Sequence, residues 1–197
     1  MKQSERKNRD IIEAAVTEFV ENGFKATRIS AIAERANVSK RTLYKHFESK
    51  ESLFEAILNK LINTCHDSES IKYDPQIPMF DQLKDVAAKL IETMGSPEYT
   101  NLSRVALSEF IRSHETARKA IEQSQRNYFS FENFITEAIN DGKLREVDPK
   151  YAILQFTSLL KASTFWPKII LGEPIPTGDK LDFIISDTVK MFLAHYE

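Results

Sequence analysis

The side chains best equipped for chemistry in this chain crowd into a single stretch: Ser39, Lys40, Arg41, Thr42, Tyr44, Lys45 and His46. All of them can donate hydrogen bonds, and four carry or can carry positive charge. The Ser39 and Thr42 hydroxyls, the Tyr44 phenol and the amides of a helix start can bond phosphate oxygens. Arg41 can offer a planar fork to the O6 and N7 edge of guanine. A basic run alone is usually just a solvated helix face, so the elements that carry it must decide its meaning.

Those elements are short helices. From Asp10 to Val20 the apolar positions Ile11, Ile12, Ala15, Val16, Phe19 and Val20 recur at helical spacing, with Glu13, Glu18 and Glu21 elsewhere. Asn22-Gly23 ends that helix, since both tolerate left-handed backbone. Thr27 is placed to cap a second helix carrying Ile29, Ile32 and Ala33, and Asn37 stops it. Ser39 caps a third, with Leu43, Tyr44 and Phe47 along it. Helix, a turn around Asn37-Val38-Ser39 and a short helix make the spacing of a helix-turn-helix. Ile32, Ala33, Val38 and Leu43 form its expected hub. The donor-rich face of the third helix is left to enter a major groove.

The rest of the chain also reads as helix. Ser49 caps a fourth, Lys50 to about Thr64, with Leu53, Phe54, Ile57, Leu58 and Leu61 on one side. Asp67 to Pro78 reads as loop. Helical patterns follow over Phe80–Met94, Glu98–Ser113 and His114–Asn140, the last closed by Asp141-Gly142. Asp148-Pro149 starts another that runs to about Phe165, where Trp166-Pro167 disrupts it. The last spans Asp179 to Ala194. About nine helices are expected and nothing alternates like a strand, so the fold class is all-α.

Composition removes several classes. The chain has 197 residues with 42% hydrophobic and 28% charged, ordinary for a globular protein. Its net charge of −2 hides a split, with 11 basic and 7 acidic residues before position 51 against 16 and 22 after it. Tyr151–Leu160 is the longest stretch without formal charge, about half of the roughly 20 residues that a membrane span needs. The beginning of the chain lacks the apolar core of a secretion signal, so a cytoplasmic location and no membrane contact are expected. Cys65 is the sole cysteine and reads as a buried apolar residue. His46, His66, His114 and His195 are scattered, so no metal site is expected. There is no Gly-rich phosphate loop and no nucleophile elbow, and Glu132 and Glu137 suit a solvated face. No enzyme activity and no cofactor are expected.

The pattern Phe19, Gly23-Phe24, Thr27, Ile32-Ala33, Ala36-Asn37-Val38-Ser39-Lys40-Arg41-Thr42-Leu43-Tyr44-Lys45-His46-Phe47-Glu48-Ser49-Lys50-Glu51-Ser52-Leu53 resembles the DNA-binding domain of the TetR family of bacterial transcriptional regulators. The resemblance covers about the first quarter of the chain and is dense. It implies an all-helical homodimer whose three N-terminal helices bind double-stranded operator DNA, while a larger helical domain takes a small-molecule effector and dimerises through its last two helices. It also implies backbone contacts from the residues at Thr27, Tyr44 and Lys50. The family often has glycine where Asn37 and Arg41 stand; asparagine still suits the turn, and Arg41 adds a charged reader. The DNA-binding set is therefore Thr27, Arg28, Ser39, Lys40, Arg41, Thr42, Tyr44, Lys45, His46 and Lys50. The expected division is a DNA-binding domain over 1–49 and an effector-binding and dimerisation domain over 50–197, with the Lys50–Thr64 helix as the lever between them.

Two readings concern the second part. Tyr128, Phe129, Phe131 and Phe134 crowd one helix, and Phe156, Phe165 and Trp166 another. Packed core is the plain account. The ligand account is an apolar pocket lined by Leu90, Met94, Leu107, Phe110, Phe131, Phe134, Phe165 and Trp166, with Arg104, Arg112 and His114 as candidate anion anchors. The helices Tyr151–Phe165 and Leu181–Ala194 are apolar on more than one face, which a twofold mate would cover. The expected function is a repressor that a mostly apolar effector releases from a near-palindromic operator. A helical ligand-binding protein and an effector-independent DNA-binding protein are the alternatives.

Overall fold

The computed structural model describes residues 3–64, 71–124 and 129–197, and the side chains of 123, 124 and 129 are not described. Among these residues ten α-helices occur: α1 Gln3–Asn22, α2 Ile29–Arg35, α3 Lys40–His46, α4 Lys50–Thr64, α5 Met79–Gly95, α6 Pro97–Phe110, α7 His114–Ser124, α8 Phe129–Asn140, α9 Pro149–Ser163 and α10 Asp179–Tyr196. No strand is found among the described residues. The continuous helix expected over 114–140 is described as two elements, α7 and α8, on either side of 125–128. Cys65, His66, Tyr128 and the side chain of Phe129 lie outside the described residues.

The helices form two compact units, Met1–Thr64 with Pro97–Ser124, and Cys65–Ser96 with Gln125–Glu197. In the first, α1 to α4 share one core with α6 and α7. Ile11, Ala15 and Phe19 of α1 meet Ile32 and Ala33 of α2, Leu43 of α3, Leu53 and Ile57 of α4, and Leu102 and Val105 of α6. The expected boundary at 49/50 therefore falls inside this unit. Burying α4's apolar face stabilises by about 1.5–3 kcal/mol for each large side chain.

Three local signals act as the residue types dictate. Asn37 has φ 51, and two bonds close the end of α2 around it, Asn37 N to Glu34 O at 3.0 Å and Val38 N to Ala33 O at 2.9 Å. Ser39 caps α3, its Oγ accepting from Thr42 N at 3.0 Å. Ser49 caps α4 by accepting from Ser52 N at 3.0 Å, and Ser52 Oγ accepts from Ser49 N at 3.1 Å in return.

The second unit packs α5 on α10, α10 on α9 and α9 on α8. Its aromatic rings touch in series: Phe134 and Phe131 at 6.0 Å between centroids, Phe131 and Phe156 at 5.7 Å, Phe156 and Phe192 at 5.2 Å, Phe192 and Tyr196 at 4.6 Å. Tyr73 stands edge-on to Phe134 and donates from its hydroxyl to Asp141 Oδ2 at 2.6 Å. Burial and that bond push its pKa up to about 12. Asp148 caps α9 with Pro149 behind it, but α9 stops at Ser163. Pro167 then opens a π-helical turn, Pro167–Leu171, that Gly172 closes at φ 73.

Candidate nucleic-acid interface

The hub of the helix-turn-helix is as small as the spacing requires. Ile32, Ala33 and Leu43 are buried and Val38 is half-buried beside them. Leu43 takes α3's inner face. Lys40, Arg41, Tyr44 and Lys45, spaced i, i+1, i+4 and i+5, are left on one outer face and are exposed. Tyr44 is 51% exposed, so its ring is not core. None of the three cations pairs with a carboxylate among the described residues. Thr42 and His46 are half-buried at the edge of this face. The Ser39 and Thr42 hydroxyls lie 2.9 Å apart, so each is in part engaged by the other.

The remaining residues of the expected set behave differently. Thr27 does not cap α2; the cap position belongs to Arg28, which makes no side-chain cap bond. The Thr27 side chain is buried and turned inward instead, with Oγ1 2.8 Å from Gly23 O and 3.1 Å from Glu18 O. Arg28 is exposed. Lys50 is half-buried, its Nζ donating to the carbonyls of Phe24, Lys25 and Thr27. The structure thus brings Lys40, Arg41, Tyr44 and Lys45 together on one surface and turns Thr27 and Lys50 into the α1–α2 turn.

Glu18 departs from its expected place off the apolar face of α1. It is buried, because Arg35 Nε donates to its Oε1 at 2.7 Å and Asn22 Nδ2 to its Oε2 at 3.1 Å. This pair sets α2 against α1, and periodicity alone does not reveal it. The available signal is a carboxylate one position before Phe19, with an arginine at the end of the next helix.

The eight expected effector residues divide between the units. Leu107 and Phe110 are half-buried in the first; Met94, Phe131, Phe134 and Phe165 are buried in the second, with Leu90 half-buried and Trp166 40% exposed. Phe165 and Trp166 stack edge-on at 5.0 Å. Surface cavities among the described residues include two of about 360 and 420 Å³ in the first unit and one of about 390 Å³ in the second, and none of the eight lines these. Of the candidate anion anchors, Arg112 and His114 are exposed and Arg104 is half-buried. No helix among the described residues is long and apolar enough to cross a membrane.

Residues 11–57 match the family model described as bacterial regulatory proteins, tetR family, and residues 81–197 match that of the AefR-like transcriptional repressor, C-terminal domain. The chain is similar to a crystal structure of a TetR family transcriptional regulator from Pseudomonas syringae pv. tomato str. DC3000. That match has 33% identity and TM-score 0.85 and covers 100% of this chain and 98% of that one. It is also similar to a fatty acid metabolism regulator protein of Bacillus subtilis (strain 168), 28% identical over 74% of this chain and 75% of the relative. A third similarity is to the flavonoid-responsive regulator FrrA, with 29% identity, TM-score 0.72 and 98% of each chain covered.

Proposed function

This chain belongs to the TetR family of bacterial transcriptional regulators, and from that membership we propose that it is a repressor, released from a near-palindromic operator by a small, mostly apolar effector. The observation that carries the reading is the outer face of α3, where Lys40, Arg41, Tyr44 and Lys45 stand exposed on a buried hub. Lys40, Lys45, Tyr44 and Arg28 supply phosphate contacts, with Ser39, Thr42 and His46 at the margin. Arg41 reads base edges. DNA contact falls within residues 1–49, and effector binding and dimerisation within 50–197.

A homodimer delivers two copies of α3 about 34–36 Å apart, one helical turn of the duplex. The faces assigned to it are those of α9 and α10, where Tyr151, Leu154, Phe183 and Met191 are all more than half exposed. The repressor sign follows the description of the matched C-terminal family, and an apolar effector follows the aromatic series of the second unit. The relatives named for fatty acid metabolism and for flavonoid response point to the same chemical class. Release requires the effector to bind more tightly to a state in which the recognition helices no longer match the grooves; tight binding to both states changes nothing.

The test is fluorescence anisotropy with labelled duplex taken from upstream of the chain's own coding region, titrated with salt and then with fatty acids, acyl thioesters and flavonoids. Specific binding that weakens steeply with salt and is released by one of these apolar classes is the expected result. No retention of the duplex at low salt overturns DNA binding, and release by highly polar metabolites alone overturns the effector class.

A further inference from the structure

Lys50 is the first residue of α4 and, by position, resembles a cation waiting for a phosphate. Its surroundings are already complete. Nζ donates to Phe24 O at 2.7 Å, Lys25 O at 3.1 Å and Thr27 O at 3.2 Å. An ammonium has three N–H bonds, and three carbonyls take them. Nζ also sits 4.7 Å above the centroid of the Phe24 ring. That ring is fixed in turn, 5.2 Å from Phe19 of α1 and 5.2 Å from Phe54 of α4.

Other contacts close the same segment from the α1 side. Between α1 and α2 the chain turns at Gly23, φ 76, and the main-chain bond Thr27 N to Gly23 O is 3.2 Å long. The buried Thr27 hydroxyl shares its proton between two carbonyls on the α1 side. Lys50 therefore closes the turn from α4, and Thr27 closes it from α1. Arg28 and the whole of α2 follow immediately.

Resting on the DNA-binding reading above, we infer that Lys50 is a positioning residue: its ammonium pins the α1–α2 turn to the start of α4, and so sets Arg28 and α2 for the duplex without touching phosphate itself. To reach a phosphate it would exchange three charge-assisted bonds and a ring contact for one such bond. The tripod geometry also separates it from arginine, whose planar fork cannot aim at three carbonyls that converge on one point.

The experiment compares Lys50→Arg and Lys50→Met in the full chain, well below the unfolding transition. A labelled mixed-sequence duplex of about three helical turns serves as probe at low salt. A phosphate ligand tolerates arginine. A positioning residue does not, so both variants are expected to bind about tenfold more weakly than wild type and within about twofold of each other. In the same proteins without DNA, amides of residues 25–32 are expected to exchange about tenfold faster or more. Wild-type affinity in Lys50→Arg or in Lys50→Met, or unchanged exchange in that segment, overturns the assignment. If wild-type protein itself ignores the duplex, the DNA-binding reading fails. The exchange result then stands by itself for or against the pin.

Discussion

Arg35, the last residue of α2, reaches back to α1, where its Nε donates to Glu18 Oε1 at 2.7 Å. Its second arm meets Glu21 Oε2 at 2.6 Å. The Glu18 side chain is only 9% exposed whereas that of Arg35 is 39% exposed, so the two ends of the pair are worth different amounts. Removing the arginine leaves a buried carboxylate with Asn22 as its remaining partner. Arg35→Ala should destabilise the chain, by less than the full value of a buried pair because the guanidinium is partly in water. Glu18→Ala should cost less, because the exposed guanidinium keeps Glu21 and water, and the double variant less than the two together. Urea unfolding of the four proteins checks this; strict additivity would mean that the pair does not couple the helices.

Much of the helix-turn-helix could be read from the sequence because its signals are local. Ser39, Ser49 and Asn37 act within one turn of themselves, so residue type and position suffice. The inward turn of Thr27 and Lys50 was not legible for the opposite reason. Lys50 bonds a carbonyl 26 positions away, and no periodicity encodes that. The same holds for the partners of α6. An apolar stripe says that α6 has a buried face, but not that Leu102 and Val105 join the core of α1 to α4. The 114–140 pattern reads as one helix because helical spacing continues through it, while α7 and α8 belong to different units.

Asn37 adopts left-handed backbone at the centre of the helix-turn-helix, with φ 51. Glycine reaches that conformation without penalty, and a Cβ-bearing residue lacking asparagine's local hydrogen bonding does not. Asn37→Gly is expected to change stability by no more than about 0.5 kcal/mol, and Asn37→Ala to lower it by about 1 kcal/mol. Thermal unfolding followed by circular dichroism distinguishes the two. A more stable alanine variant would be incompatible with the bonds that Asn37 and Val38 make to α2.

Lys40 and Arg41 are neighbours on the exposed face of α3 but are assigned different tasks. Lys40→Ala should weaken binding to all duplexes alike and reduce the slope of log affinity against log salt by about 0.9, the value of one phosphate contact. Arg41→Ala should instead narrow the gap between operator and scrambled duplex by about 1–3 kcal/mol. Anisotropy titrations on both duplexes over a salt series measure each quantity. Equal losses on the two duplexes for Arg41→Ala would place that side chain on the backbone.

The proposed homodimer rests on large apolar side chains of α9 and α10 that the single chain leaves in water: Leu154 at 59% exposure and Phe183 at 68%. Neither supports its own unit, so charge placed there should leave the monomer folded. In a twofold interface each substitution is present twice, and the two copies approach each other or each other's neighbours. Burying such a side chain is worth about 1.5–3 kcal/mol, and a glutamate in its place adds an uncompensated charge. The combined variant Leu154→Glu, Phe183→Glu is therefore expected to sediment as a 22.7 kDa chain, where wild type sediments at twice that mass. Its circular dichroism should be unchanged. Its affinity for a near-palindromic operator should fall much further than its affinity for a single half-site, because only the dimer engages both halves. A monomeric wild-type protein, or a variant that still dimerises, would remove α9 and α10 from the interface and with them the proposed spacing of the two recognition helices.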